Sequence, residues 1–328
     1  MSKLMEEVTD KMTMMHLSRK TVKAYSAKIH EYVLFTGAKQ RSDLSDIKQI
    51  EQYLTHLATV RHVSASTQNQ ALYAVLFLYR AVLKIEVENV QSLRAREGKR
   101  LPAVLSKIDT ARVLNCVHGD PYHLISQLLY GSGMRLSEVQ QLRIKDIDFS
   151  TYVIMVRAGK GDKDRTVPLP RMLEKPLRDQ IEIARNLHNI DIQRGMPGVF
   201  VPNALDVKYP NIGTEWGWFW VFPAENYSTD PETKIHRRHH IHEAGIQRAV
   251  KAARLEAGVA GHVTPHTFRH CFATHLLQDG YNIRVVQELL GHKDVKTTMI
   301  YTHIMMPGGQ AGVVSPLDKM PVEDIIRL

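Results

Sequence analysis

Apolar residues recur at three- and four-residue spacing through the first part of the chain, the period of a helix that buries one face. The spacing predicts helices over 21–36, 47–59 and 64–82, with Ser18, Ser45 and Ser64 as N-caps and Asp46 adding negative charge to one first turn. The periodicity ends at the basic stretch 94–100, followed by Pro102, and a domain linker is expected over 93–105. Helical spacing returns over 109–116 and 122–131, and Arg135 stands at the start of a further helix, just after a Gly-Ser-Gly turn. The β-branched runs 152–156 and 165–169, separated by the Gly-rich turn 159–161, read as a hairpin bearing Lys160 near its tip. Helices follow over 173–187, from about 243 to 255, and over 267–278 after Pro265.

One region breaks the pattern. From about 195 to 242 there is no sustained period, and Pro197, Pro202, Pro210, Pro223 and Pro231 interrupt it, so a long functional loop is expected. Trp216, Trp218 and Trp220, the three tryptophans of the chain, lie there beside Phe219, a density that argues against disorder. The expected fold is mainly α with a small β-sheet: a helical N-terminal domain over 1–92, the basic linker 93–105, and an α+β domain over 106–328 with an insertion at about 195–242.

Charge narrows the partner. The formal net charge is +9, and residues 1–100 carry 16 Lys and Arg against 10 Asp and Glu. That balance favours a polyanion, because each phosphate neutralised by Lys or Arg releases counterions. Only Cys116 and Cys271 occur, too few for a disulfide framework or a Cys-rich zinc site. Glu6, Glu7, Asp10 and Lys11 interrupt the N-terminal segment, so no secretory signal is expected. No stretch reaches the roughly 20 apolar residues that span a bilayer. A cytoplasmic location, nucleoid-associated when active, without a membrane partner, follows as an expectation.

The candidate chemistry lies in Arg135, Lys160, His266, Arg269, His292 and Tyr301. A phosphodiester in transition carries its charge on non-bridging oxygens, and a catalyst without a metal needs cationic donors aimed at them. Arg135 and Arg269 can clamp phosphate with planar forks, and Tyr301 can attack when nearby cations favour its phenolate. Lys160 can protonate the departing 5′ oxygen, His266 can exchange a proton with the nucleophile or support the phosphate, and His292 can donate a hydrogen bond to it. No metal and no other cofactor is required by this scheme. Each residue alone has a plainer reading: an arginine that caps a helix, a tyrosine that packs, or a polar helix face at His266, Arg269 and His270.

Together, in this order, these boxes resemble the tyrosine recombinase (site-specific integrase) family, whose motif is Arg, Lys, His-x-x-Arg, His or Trp, and Tyr. The resemblance implies a two-domain clamp on DNA, with a core-binding domain before a catalytic domain, and strand cleavage through a 3′-phosphotyrosine without ATP. It also implies that Glu138 and His270 support the catalytic residues. The insertion, with Phe222-Pro223-Ala224 and the His-rich run 236–242, together with Thr302-His303 and the tail 308–318, is similar to integron integrases. Those enzymes move gene cassettes between a folded single-strand cassette site and an integron attachment site. The partners so implied are hairpin and duplex DNA and a homotetramer assembled on DNA, with the tail after Tyr301 docking on a neighbouring protomer. In the insertion, Trp216, Trp218, Trp220, His239 and His240 are candidates to stack on extrahelical bases, and Lys234, Arg237 and Arg238 to hold the adjacent backbone. The alternatives are ordinary packing of the aromatic cluster and metal binding by the histidines.

Overall fold

The computed structural model describes residues 2–88, 94–95, 103–157, 164–202, 205–230, 233–292, 294–299 and 301. Lys160, and the whole segment after Tyr301 with Thr302, His303 and the tail, lie outside the described residues. The chain divides into two compact units, Met1–Arg100 and Leu101–Leu328.

The first unit is all helical: α1 (Ser2–Met14), α2 (Arg19–Thr36), α3 (Lys48–Thr59) and α4 (Ala65–Phe77). Each helix contributes one apolar stripe to a common core, Leu4, Val8 and Met12 from α1 and Ile50, Tyr53, Leu54 and Leu57 from α3 among them. Ser18 and Ser64 cap as expected, each accepting a hydrogen bond from the backbone N–H three residues on. Ser45 does not cap. It closes the short 3-10 turn Arg41–Leu44, while the Asp46 side chain accepts from the Lys48 N–H at 2.9 Å and Ile47 holds the N-cap position of α3. The fourth helix is also not uniform to 82, because Leu78–Leu83 widens into a π turn that ends at Lys84 in the left-handed region. Helix α1 was invisible to the three-helix reading of this segment. Its buried residues recur every fourth position, at Leu4, Val8 and Met12.

The second unit surrounds a core with helices α5 (Lys107–Asn115), α6 (Tyr122–Ser132), α7 (Leu136–Gln140) and a small antiparallel sheet, β1 (Ile147–Asp148), β2 (Val153–Val156) and β3 (Arg165–Pro168), in the order β1-β2-β3. Ile154 pairs with Val167, and both are buried in the core with Leu128, Leu129 and Phe268. The long α8 (Glu174–Gln193) and the short α9 (Leu205–Lys208) precede a second sheet, β4 (Pro223–Thr229) with β5 (His236–His240). The unit then runs through α10 (Glu243–Glu256), α11 (Pro265–Gln278), α12 (Ile283–Leu290) and α13 (Val295–Met299). The architecture is mainly α with small sheets, as the sequence led one to expect.

The insertion is the main correction. Where a long loop was expected, the strands Pro223–Thr229 and His236–His240 pair antiparallel, with a register irregularity between Pro223 and Tyr227. Alternation was hidden because the neighbouring residues Arg237 and Arg238 are both enclosed, 6% and 3% exposed, so β5 does not read as inward and outward positions in turn. Among the described residues, no helix is long and apolar enough to cross a membrane.

Candidate active site

The pocket is assembled at the ends of helices. Helix α6 ends at Gly133 in the left-handed region, where a Cβ would also meet the Phe272 ring at 2.3 Å, so only glycine suits the turn. The reversal delivers Arg135 to the N-cap position of α7, and Glu138 reaches back to accept from the Arg135 backbone N–H at 2.7 Å. Its other oxygen accepts from Arg135 Nη1, also at 2.7 Å. A second cation meets the same carboxylate from β3: the two terminal nitrogens of Arg165 donate to its oxygens at 3.0 and 2.7 Å. Burial works to raise the Glu138 carboxyl, and the hydrogen bonds from Arg165 and Arg135 overcome it and hold it at about 2.

Helix α11 brings His266, Arg269 and His270 to the same place, starting with Pro265 at its first turn. Arg269 is 1% exposed; it donates to the Gly133 carbonyl at 2.6 Å and the Leu290 carbonyl at 2.5 Å. Burial and the nearby Arg135 weaken its hold on its proton, so an incoming anion is favoured there. His292 follows the end of α12, with Nε2 at 3.3 Å from Arg269 Nη2 and Nδ1 at 2.9 Å from the Thr298 hydroxyl. Arginine can only donate, so Nε2 accepts here and Nδ1 carries the hydrogen. Donation from His292 to a phosphate therefore requires the other tautomer, and the buried Thr298 hydroxyl can serve either one.

Tyr301 is 2% exposed, and its hydroxyl lies 2.8 Å from His270 Nδ1. Its ring lies near-parallel to that of His292 at 6.4 Å between centroids. Burial pushes the phenol up, while Arg269 and Arg135 pull it down. Burial, then His266 and Arg269, hold His270 at about 4, so at neutral pH its ring is uncharged, and in the Nε2–H tautomer its Nδ1 accepts from the phenol. The structure thus changes one expected partnership: His270, not His266, touches the tyrosine. His266 is solvent-exposed and packs edge-on against His270 at 4.6 Å between ring centroids.

Arg135, Glu138, His266, Arg269, His270, His292 and Tyr301 are brought together; Arg165 joins them without having been anticipated. Its signal was present in β3, where Arg165 shares a strand face with the buried Val167. Among the described residues, no group of three or more His, Cys, Asp or Glu is arranged to hold a metal.

A stability consequence follows from the two suppressed histidines. His270 and His292 are both held at about 4 in the folded chain, against 6.5 as their ordinary value. Groups with depressed folded values contribute stability fully above their unfolded value and lose it as pH falls through the folded one. Urea unfolding should therefore show constant stability from these groups above about pH 6.5 and a fall between there and about pH 4, and His270→Gln should flatten that fall.

The insertion contributes differently from the sequence expectation. Trp220 is 3% exposed beneath Arg143, whose guanidinium lies 3.9 Å from its ring centroid, and packs with Phe219, Val199 and Ala184. Arg238 is spent on Asp191, at 2.8 and 2.7 Å, and on the carbonyls of Ala224 and Glu225. Arg237 is likewise buried, donating to the Gly198 carbonyl at 3.4 Å. These three are corrected from DNA contacts to internal supports, because their stacking faces and guanidinium groups are enclosed by protein. Trp216 and Trp218 are half-buried, with Arg185 over one and Lys145 over the other. His239 and His240 are half-buried, and Lys234 is exposed in the left-handed turn between β4 and β5.

Two buried-to-half-buried arginines and a histidine around a tyrosine hydroxyl are suited to covalent attack on a phosphodiester. Comparison with known proteins gives that chemistry a family. The chain belongs to the phage integrase family, the tyrosine recombinases: the family pattern matches residues 103–306, and that of the phage integrase N-terminal SAM-like domain matches residues 4–89. It is 45% identical over 320 residues to an integrase/recombinase of Escherichia coli, covering 97% of this chain and 94% of that one. It is 31% identical to the tyrosine recombinase XerC of Lactobacillus delbrueckii subsp. bulgaricus, covering 88% and 90%. In fold it is similar to the XerH site-specific recombinase bound to palindromic difH substrate, at TM-score 0.58 and 23% identity, covering 86% and 76%. A lambda integrase dimer bound to a COC′ core site is similar at TM-score 0.62 and 15% identity, covering 98% and 99%. The protein is thus an enzyme of site-specific DNA recombination that cuts and rejoins DNA through a tyrosine.

Proposed function

We propose that this recombinase is an integron integrase, moving gene cassettes between a folded single-strand cassette site and a duplex attachment site. The observation that carries the reading is the insertion: an ordered hairpin, β4–β5, rooted on α8 by the Arg238–Asp191 pair and lined at its base by a tryptophan cluster. Such an extra element gives a recombinase a surface for DNA shape beyond the cleavage pocket. An extrahelical base offers two apolar faces, and stacking on a ring contributes about 1–3 kcal/mol. Among the insertion residues, Trp216, Trp218, His239, His240 and Lys234 retain accessible surface for that role.

In the pocket, Arg135 and Arg269 take the non-bridging oxygens of the scissile phosphate, and Tyr301 is the nucleophile. The Tyr301 Oη–phosphorus bond forms as the 5′ oxygen departs, leaving a 3′-phosphotyrosine. Its proton passes first to His270, the group it already meets at 2.8 Å. His292 supports the phosphate in its Nε2–H tautomer, and Lys160 protonates the departing oxygen. Reversal by a 5′ hydroxyl of another strand completes exchange, so neither metal nor ATP enters the scheme. Four strands must be cut, which calls for a tetramer on DNA, and the tail after Tyr301 is assigned to the contact with a neighbour. The enzyme acts in the cytoplasm, where its DNA resides.

The test separates hairpin reading from cleavage. Lys234→Ala with His239→Ala should lower recombination of a cassette-site hairpin by roughly tenfold, while cleavage of a linear duplex attachment site stays within about twofold. Equal losses on both DNAs would contradict the hairpin role. Trp220→Ala, a core substitution, should reduce both reactions alike through a stability loss of about 3–5 kcal/mol, read by urea unfolding.

A further inference from the structure

We infer that Arg165 is a positioning residue that sets the two phosphate-binding arginines, an inference resting on the pocket assignment proposed above. Its side chain is 9% exposed and reaches two separate parts of the pocket at once. Through both terminal nitrogens it binds both oxygens of Glu138, at 3.0 and 2.7 Å. Through Nε it donates to the Leu289 carbonyl at 2.8 Å, in the last turn of α12. The adjoining Leu290 carbonyl is a partner of Arg269, and His292 follows two residues later. One guanidinium thus fixes the carboxylate that orients Arg135 and the helix end that orients Arg269 and His292.

The charge arrangement explains why a third arginine is useful. Glu138 alone, facing Arg135, would compete with phosphate for that guanidinium. Arg165 occupies the carboxylate bidentately, so Arg135 spends only Nη1 and its backbone N–H on Glu138. The remaining donors of Arg135 are left for the substrate. Gly291 makes room for this: it sits in the left-handed region, and a Cβ there would meet Arg165 Cδ at 3.0 Å. A lysine at 165 keeps the charge and cannot bridge the carboxylate and the Leu289 carbonyl with one planar group.

The test compares Arg165→Lys, Arg165→Met and Glu138→Gln on a nicked duplex carrying an integron attachment site, with either a phosphodiester or a neutral methylphosphonate at the scissile position. DNA affinity should stay within about threefold of wild type, and adduct formation on the phosphodiester should fall about 100-fold in both Arg165 variants. On the methylphosphonate the deficit should shrink to about tenfold or less, because the charge that the arginine pair neutralises is gone. Arg165→Met should cost less than about threefold more in the Glu138→Gln background, since both substitutions break one network. Equal deficits on the two linkages, multiplicative losses in the double variant, or a wild-type rate in Arg165→Lys would overturn the inference. Should Arg165→Met fold poorly, Arg165→Lys carries the comparison alone. Absence of adduct with wild type would instead contradict the pocket assignment, and the role of Arg165 with it.

Discussion

Arg269→Ala should slow formation of the covalent protein–DNA adduct by at least about 10³-fold, the upper range for removing one preorganised donor to a developing oxyanion. The residue carries two functions that alanine removes together. Its guanidinium holds the carbonyls of Gly133 and Leu290, which close the turns delivering Arg135 and His292, and it approaches His292 at 3.3 Å. Both carbonyls belong to helix ends, where acceptors have no partner within the helix. Leaving two buried acceptors unpaired and a void where a 1%-exposed side chain stood should also cost about 2–4 kcal/mol of stability. Arg269→Lys should recover part of the stability and little of the rate, because one ammonium cannot serve two carbonyls and a phosphate. Single-turnover adduct kinetics and urea unfolding on the same preparations check both parts; an adduct rate within about tenfold of wild type would contradict the assignment of Arg269.

Asp191→Ala should destabilise the second unit by about 3–5 kcal/mol, the cost of removing one partner from a buried ion pair. Asp191 accepts Arg238 at 2.8 and 2.7 Å and the Tyr227 hydroxyl at 2.7 Å, with side chains 3% and 10% exposed for Arg238 and Asp191. Without it, the Arg238 guanidinium remains buried between β4 and α8 with only carbonyl partners. The companion Asp191→Ala with Arg238→Met should recover most of the loss, because no unpaired charge is then enclosed. Urea unfolding reads the difference. A single substitution costing under about 1 kcal/mol would show that the insertion is not rooted through this pair.

These two residues also mark where sequence reading succeeds and where it stops. Arg269 was legible because arginine three residues after His266, followed by histidine, sits in a chain that also offers Arg135, His292 and Tyr301 in order. Chemistry of one kind dispersed over that distance pointed to one pocket. The helices were legible for a different reason, since one buried stripe per helix repeats at the helical period. Asp191 was hidden in plain view: Leu177, Ala184 and Asp191 recur every seven positions on the buried stripe of α8, so a carboxylate on that stripe already required an inward cation. Its partner could not be read, because Arg238 lies beyond a stretch whose register shifts at an irregularity. The contact between His270 and Tyr301 was unreadable for similar reasons. Helical spacing places His266 and His270 on one face, but which of them reaches a tyrosine from another element depends on tertiary geometry.

Wild type and Tyr301→Phe, each in EDTA, are to be mixed with labelled folded single-strand cassette-site DNA and with the matching linear duplex, and the products resolved under denaturing conditions. Wild type should give a protein–DNA adduct at the 3′ side of the break, more on the hairpin than on the duplex, and Tyr301→Phe should give none. An adduct that persists in Tyr301→Phe would contradict Tyr301 as the nucleophile, and equal adducts on the two DNAs would contradict the integron reading.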